Sequence, residues 1–235
     1  MADSVSNQKR WAVVIPAMTL PFISAFLYFI LLSGNPIATG VYGFTKIFTL
    51  VWPVVVVWWI FRQKLPPFRL KEAHHWKGIP LGILMGALIM LFAWGALHTP
   101  VGDVVKASSG AIKEKTLQMN ILPYYWWFAT FISVFHSLLE EYYWRWFVFG
   151  QLHQLVKPVT AHLLAGLAFA AHHVVILSQF FGWGWGFGLG AFVGIGGIIW
   201  SIMLIRQKSL IGIWVSHAIV DWGMMAIGYM LIQQT

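Results

Sequence analysis

Two adjacent glutamates, Glu140 and Glu141, stand with Arg145 inside an otherwise apolar stretch running from Ile121 to about Val156. The chain has only seven acidic residues. A charged side chain near a bilayer centre costs several kcal/mol, so one placed there marks chemistry, transport or a buried pair. Glu141 and Arg145 are i, i+4 and can pair on a helix, which leaves Glu140 without an obvious local partner. Two more polar clusters interrupt apolar stretches: Phe169-x-x-x-His173 with His172 beside it, and His217-x-x-x-Asp221. The i, i+4 spacing of the last puts both side chains on one helix face.

These residue types suit activation of water. A carboxylate beside an imidazole orients a water and takes its proton. A second imidazole with a polar partner stabilises the oxyanion that forms when water attacks an amide. Carboxylate and imidazole ligands can instead bind Zn²⁺ and generate hydroxide, so the chemistry needs either no cofactor or zinc. Covalent acyl-enzyme chemistry is not expected, because there is no cysteine and no buried Ser–His pair at suitable spacing. The soluble zinc-protease pattern H-E-x-x-H is absent. His136, i, i+4 from Glu140, reads as a neighbour, His172 as a satisfied buried histidine, and His153 and His162 as packing and interface residues.

The elements that must position these groups are membrane helices. Of the 235 residues, 59% are hydrophobic and 9% charged, whereas soluble domains run near a quarter charged. Stretches approaching or exceeding the ~20 apolar residues that span a bilayer predict helices at 11–33, 41–61, 79–97, 124–155, 158–179, 184–205 and 209–232. The expected fold is all-α, a polytopic bundle of about seven membrane helices forming a single integral-membrane domain over 1–235. The first apolar stretch is too long for a signal peptide and lacks its small-residue cleavage pattern.

The net charge of +8 follows topology. With the N-terminus inside, Lys9, Arg10, Arg62, Lys64, Arg69, Lys71, Lys77, Lys157, Arg206 and Lys208 are all cytoplasmic, while Lys106, Lys113 and Lys115 fall in an outer loop and Lys46 near an outer helix end. That is the positive-inside pattern, and the bases at 62–77 suit an anionic leaflet. Membrane lipids are therefore expected partners and nucleic acid is not. Leu65-Pro66-Pro67 reads as a cytoplasmic loop and 98–120 as an outer polar stretch with a short surface helix. Tyr124 to Trp127 form an aromatic belt. Glycines at 182, 186, 190 and 194 read as a close-packing stripe.

Lys157-Pro158 marks a turn between two long helices. Glu141 precedes Lys157 by 16 residues and His173 follows it by 16, so antiparallel arms place both roughly 24 Å from the turn at 1.5 Å per residue. Asp221 lies 13 residues beyond Lys208, or roughly 20 Å deep by the same rise. Glu140, His173, His217 and Asp221 are thus expected in one layer.

The three motifs in this order on successive hydrophobic segments, Glu140-Glu141-x-x-x-Arg145, Phe169-x-x-x-His173 and His217-x-x-x-Asp221, resemble the CAAX-protease and bacteriocin-processing (Abi) family, which includes the type II CAAX prenyl endopeptidases. The resemblance covers roughly 124–232. It implies an intramembrane endopeptidase of a cell membrane, bacterial by its Abi relatives, acting on a peptide or protein substrate that can be lipid-modified. It assigns Glu140 as the base acting on water with His173. His217 and Asp221 stand at the oxyanion or, in the metalloprotease description of the family, among metal ligands together with Glu140 and His173. Glu141 and Arg145 are supporting residues. The last motif commonly ends in Asn, an amide donor, whereas Asp221 donates only when protonated.

Two other classes fit buried Glu and His. A proton- or cation-coupled transporter uses such chains as relays, although no internal repeat or matched pair of broken helices is visible. A catalytically inactive immunity or assembly partner would keep the fold without the activity.

Overall fold

The computed structural model describes residues 5–64 and 73–234. The predicted Leu65-Pro66-Pro67 loop and the bases Arg69 and Lys71 lie outside the described residues. All regular structure among them is helical, as composition requires: within hydrocarbon a helix satisfies its own backbone.

Helix α1 spans Asn7–Leu31 and α2 Pro36–Ile60. Ser6 Oγ caps α1 by accepting from Lys9 N at 3.4 Å. Asn35 Oδ1 caps α2, accepting from Ile37 N at 2.9 Å with Pro36 in the first turn, the arrangement that satisfies exposed amides at a helix start. Helix α3 spans His75–Ala96. Two short helices follow, α4 over Pro100–Ala107 and α5 over Ser109–Gln118, in the stretch predicted to carry a surface helix.

Helix α6 runs over 125–152 and alternates in its winding. It is α-helical over Tyr125–Phe131, π-helical over Ile132–His136, α-helical over Ser137–Glu140 and π-helical again over Glu141–Phe149. Helix α7, Pro158–Gln207, is broken at Gly182, whose φ of 73° is a left-handed value that glycine adopts without steric cost. It therefore supplies the two predicted spans. Helix α8 covers Ile211–Gln233. Helices α1, α2, α3, α7 and α8 are each long and apolar enough to cross a membrane, and the chain is an integral membrane protein.

The chain divides into two compact units. The first comprises Met1–Arg69 and Tyr142–Ile205, the second Leu70–Glu141 and Arg206–Thr235. In the first, Tyr143 Oη donates to Ala17 O at 2.8 Å, Tyr142 Oη to Leu50 O at 3.0 Å and Arg10 Nη1 to Gln151 Oε1 at 2.5 Å, tying α1 and α2 to the end of α6. The two halves of α7 pack closely where Gly186, Gly190 and Gly194 face Ser178, Val174 and Ala170, so the glycine stripe is a packing surface.

In the second unit, α3 and α8 approach through Gly82 and Gly86, which lie against Gly212, Ser216 O and Ile219. The start of α6 runs antiparallel to α8. Tyr125 Oη donates to Met225 O and Trp214 Nε1 to Val134 O, each at 2.8 Å. Of the predicted aromatic belt, Tyr124, Trp126 and Trp127 are exposed, whereas Tyr125 is buried.

Candidate active site

In the second unit, α6 and α8 bring the polar residues of two motifs together around one imidazole. His217 Nδ1 donates to Glu141 Oε1 at 2.6 Å. Its other nitrogen, Nε2, lies 3.7 Å from Glu140 Oε2 and 3.5 Å from Asp221 Oδ1. The bond to Glu141 fixes which nitrogen faces the pair. Separations of 3.5 and 3.7 Å exceed a good direct hydrogen bond.

Burial divides the carboxylates. The side chain of Glu141 is 0% exposed, Glu140 12% and Asp221 22%. Glu141 is therefore shielded from substrate and meets His217, while Glu140 and Asp221 can be approached. Helix winding makes this possible. The α-helical turn Ser137–Glu140 sits between two π-helical stretches, and Glu140 and Glu141 reach opposite nitrogens of the same ring. Side chains donate to carbonyls in and beside the first π turn. Ser133 Oγ donates to Ala129 O at 2.7 Å, Ser137 Oγ to Ser133 O at 2.5 Å and Trp214 Nε1 to Val134 O. Side-chain donors of this kind help to satisfy irregular winding at membrane depth, and π turns recur at functional sites.

Glu140, without an obvious local partner by the pairing of Glu141 with Arg145, has the neighbour that the i, i+4 spacing of His136 gives it. His136 Nε2 lies 3.4 Å from Glu140 Oε1, one turn before it. The motif arithmetic gave no sign of the bond between Glu141 and His217, because adjacency along α6 says nothing of which carboxylate faces α8.

In the first unit, His173 Nδ1 donates to Phe169 O at 2.9 Å, leaving Nε2 as the working nitrogen of that ring. The Phe169 ring carries the Arg145 guanidinium, whose carbon stands 4.2 Å from the ring centroid and 5.0 Å from that of Trp200. The motif phenylalanine thus both orients His173 through its carbonyl and seats the buried Arg145 through its ring. His172 is buried and stacks on Trp144 at 5.4 Å with an interplanar angle of 5°, consistent with its reading as a core histidine.

No buried Ser–His pair is expected at suitable spacing, and the structure has two Ser–His contacts between residues distant in sequence. His162 Nδ1 is 2.6 Å from Ser201 Oγ, and His75 Nδ1 is 2.8 Å from Ser209 Oγ. Both are long-range and invisible to spacing. Ser201 directs its proton to Ile198 O at 2.8 Å and is fully buried, so His162 donates to it and does not activate it. Ser209 accepts from Ile211 N at 3.2 Å at the start of α8. Both serines are structural.

Two pairs of side chains in the second unit, His217 Nε2 with Glu140 Oε2 at 3.7 Å and with Asp221 Oδ1 at 3.5 Å, are of types that bind metal ions. Zn²⁺ takes imidazole nitrogen and carboxylate oxygen at ~2.0–2.2 Å, which puts neighbouring ligands about 3.4 Å apart in a tetrahedral shell. The distances around His217 Nε2 approach this, and Glu141 behind Nδ1 completes a carboxylate–histidine arrangement of the kind that orients metal ligands.

Fold and site together define a helical membrane protein with a buried carboxylate–imidazole cluster. Residues 122–223 match the sequence model of the family described as type II CAAX prenyl endopeptidase Rce1-like, and the resemblance carried by the three motifs is borne out. Every predicted site residue, from Glu140 to Asp221, lies within the matched stretch. No curated protein and no solved structure matches the chain.

Proposed function

We propose that this protein is an intramembrane endopeptidase that hydrolyses a peptide bond of a protein substrate, including a lipid-modified one, with water activated by Glu140 and His173. The observation that carries the reading is His217, its Nδ1 held by Glu141 and its Nε2 flanked by Glu140 and Asp221, inside a stretch matched to a prenyl endopeptidase family. His173 enters on its motif. Glu140 takes a proton from water, the hydroxyl oxygen attacks the carbonyl carbon, and Glu140 returns that proton to the departing amine. In its imidazolium form His217 donates from Nε2 to the developing oxyanion, and Asp221 orients it from the same helix face. In the alternative scheme Glu140, His173, His217 and Asp221 would hold Zn²⁺, whose Lewis acidity would supply the activation of water. Glu141 and Arg145 support the site. The distribution of lysine and arginine supports an N-terminus in the cytoplasm, and the resemblance to the bacterial Abi proteins supports a site in a bacterial plasma membrane.

The test is cleavage of a peptide pool by the purified protein in lipid nanodiscs, with wild type beside Glu140→Ala and His173→Ala. Cleavage by wild type and loss of it in both variants supports the reading. Equal cleavage by all three, or none by wild type on prenylated and unmodified pools alike, overturns it.

A further inference from the structure

His136 belongs to none of the three motifs, yet it faces the same carboxylate as His217. Its Nε2 lies 3.4 Å from Glu140 Oε1, while Glu140 Oε2 faces His217 Nε2 at 3.7 Å. The two oxygens of one carboxylate are divided between imidazoles on two helices. A glutamate side chain has several rotatable bonds, and ordering it costs entropy. Catalysis by a base requires that ordering to be complete before water arrives.

The backbone around His136 is built to hold it. It ends the π turn Ile132–His136 and begins the α-helical turn that leads to Glu140, so the two side chains stack at i, i+4. Trp214 Nε1 on Val134 O, Ser133 Oγ on Ala129 O and Ser137 Oγ on Ser133 O fix the register of that turn. At 3.4 Å the contact is longer than a relaxed hydrogen bond, as catalytic contacts often are before substrate binds. The His136 side chain is 27% exposed and Glu140 12%, so the pair lies where substrate or water can reach it.

We infer that His136 is a positioning residue for Glu140: its Nε2–H holds Oε1 so that Oε2 is presented to the water. This rests on the endopeptidase reading with Glu140 as base.

The experiment compares wild type, Glu140→Gln, His136→Ala, His136→Phe and His136→Gln in nanodiscs, with kcat and KM measured separately and the thermal midpoint recorded for each. Phe fills the space of the ring without a donor, and Gln restores an N–H at the position of Nε2. The expected result is a kcat lowered about 10- to 100-fold in His136→Ala and His136→Phe, the usual cost of losing an orienting partner. KM should stay within about twofold of wild type, and His136→Gln should recover to within about fivefold. A kcat within twofold of wild type in His136→Phe, or no recovery in His136→Gln, overturns the inference. If Glu140→Gln cuts as fast as wild type, the underlying reading has failed instead, which the same plate of assays separates.

Discussion

The Nδ1 of His217 donates to Glu141 Oε1 at 2.6 Å, joining residues 76 positions apart in the chain. That bond assigns different work to two neighbouring carboxylates. Glu141, fully buried, is committed to one imidazole nitrogen, and Glu140 faces the other. Truncating one partner of a buried charge pair leaves the other uncompensated, at a cost of about 3–5 kcal/mol. Glu141→Ala should therefore lower the thermal midpoint by roughly 10 °C. Glu141→Gln keeps an acceptor on His217 and should fold, with kcat about 10- to 100-fold below wild type. Thermal unfolding and cleavage kinetics on the two variants check both. A Glu141→Gln enzyme as fast as wild type would show that His217 needs no carboxylate behind it.

Metal removal separates the two water-activation schemes. The leading scheme gives Glu140 the proton and needs no ion. Cleavage should persist after dialysis against EDTA or 1,10-phenanthroline, and the purified protein should carry well below one equivalent of zinc by elemental analysis. Activity that is lost on chelation and returns with Zn²⁺ would transfer the role to the metal.

What the sequence made legible was whatever follows from spacing along one helix. Apolar runs and Pro158 located the spans, and the glycines of the sixth span predicted a packing surface that Gly186, Gly190 and Gly194 supply. The i, i+4 spacing of His217 and Asp221 put them on one face, where they stand 3.5 Å apart. Four things are not legible. The π turns of α6 rotate side chains away from the 3.6-residue repeat on which spacing arguments depend, and no residue type announces them. The carboxylate that meets His217 depends on that rotation. Trp214, which looks like one more apolar residue of α8, supplies the donor that fixes Val134 O. His136 reads from its i, i+4 spacing as a neighbour of Glu140, but spacing does not give its 3.4 Å approach to the carboxylate.

Arg145 is buried to 2% exposure, with its guanidinium over Phe169 and beside Trp200. A planar, weakly hydrated cation stacks on aromatic faces in a way the compact ammonium of lysine does not. Such contacts reach about 2 kcal/mol when desolvated. Arg145→Lys should destabilise the protein even though charge is conserved. A double-mutant cycle with Phe169→Leu should give a coupling of about 1–2 kcal/mol. A coupling near zero would mean that the ring is a bystander to the cation.

Gly82 on α3 lies against the backbone of Gly212 at the start of α8, so closely that a Cβ there would overlap the Gly212 carbonyl. Backbone cannot step aside as the tip of a side chain can, so Gly82→Ala must displace α8 itself. His217 is five residues further along that helix, and its bond to Glu141 tolerates little movement. Gly188→Ala is the control, because a Cβ at Gly188 meets nothing within 4 Å, and alanine is favoured over glycine in a helix by about 1 kcal/mol. Gly82→Ala should lower both the thermal midpoint and kcat, the latter about tenfold or more, whereas Gly188→Ala should keep kcat and hold or raise the midpoint. Should Gly82→Ala retain full activity and stability, the close approach of α3 to α8 would not be what sets the height of His217 against the carboxylates of α6.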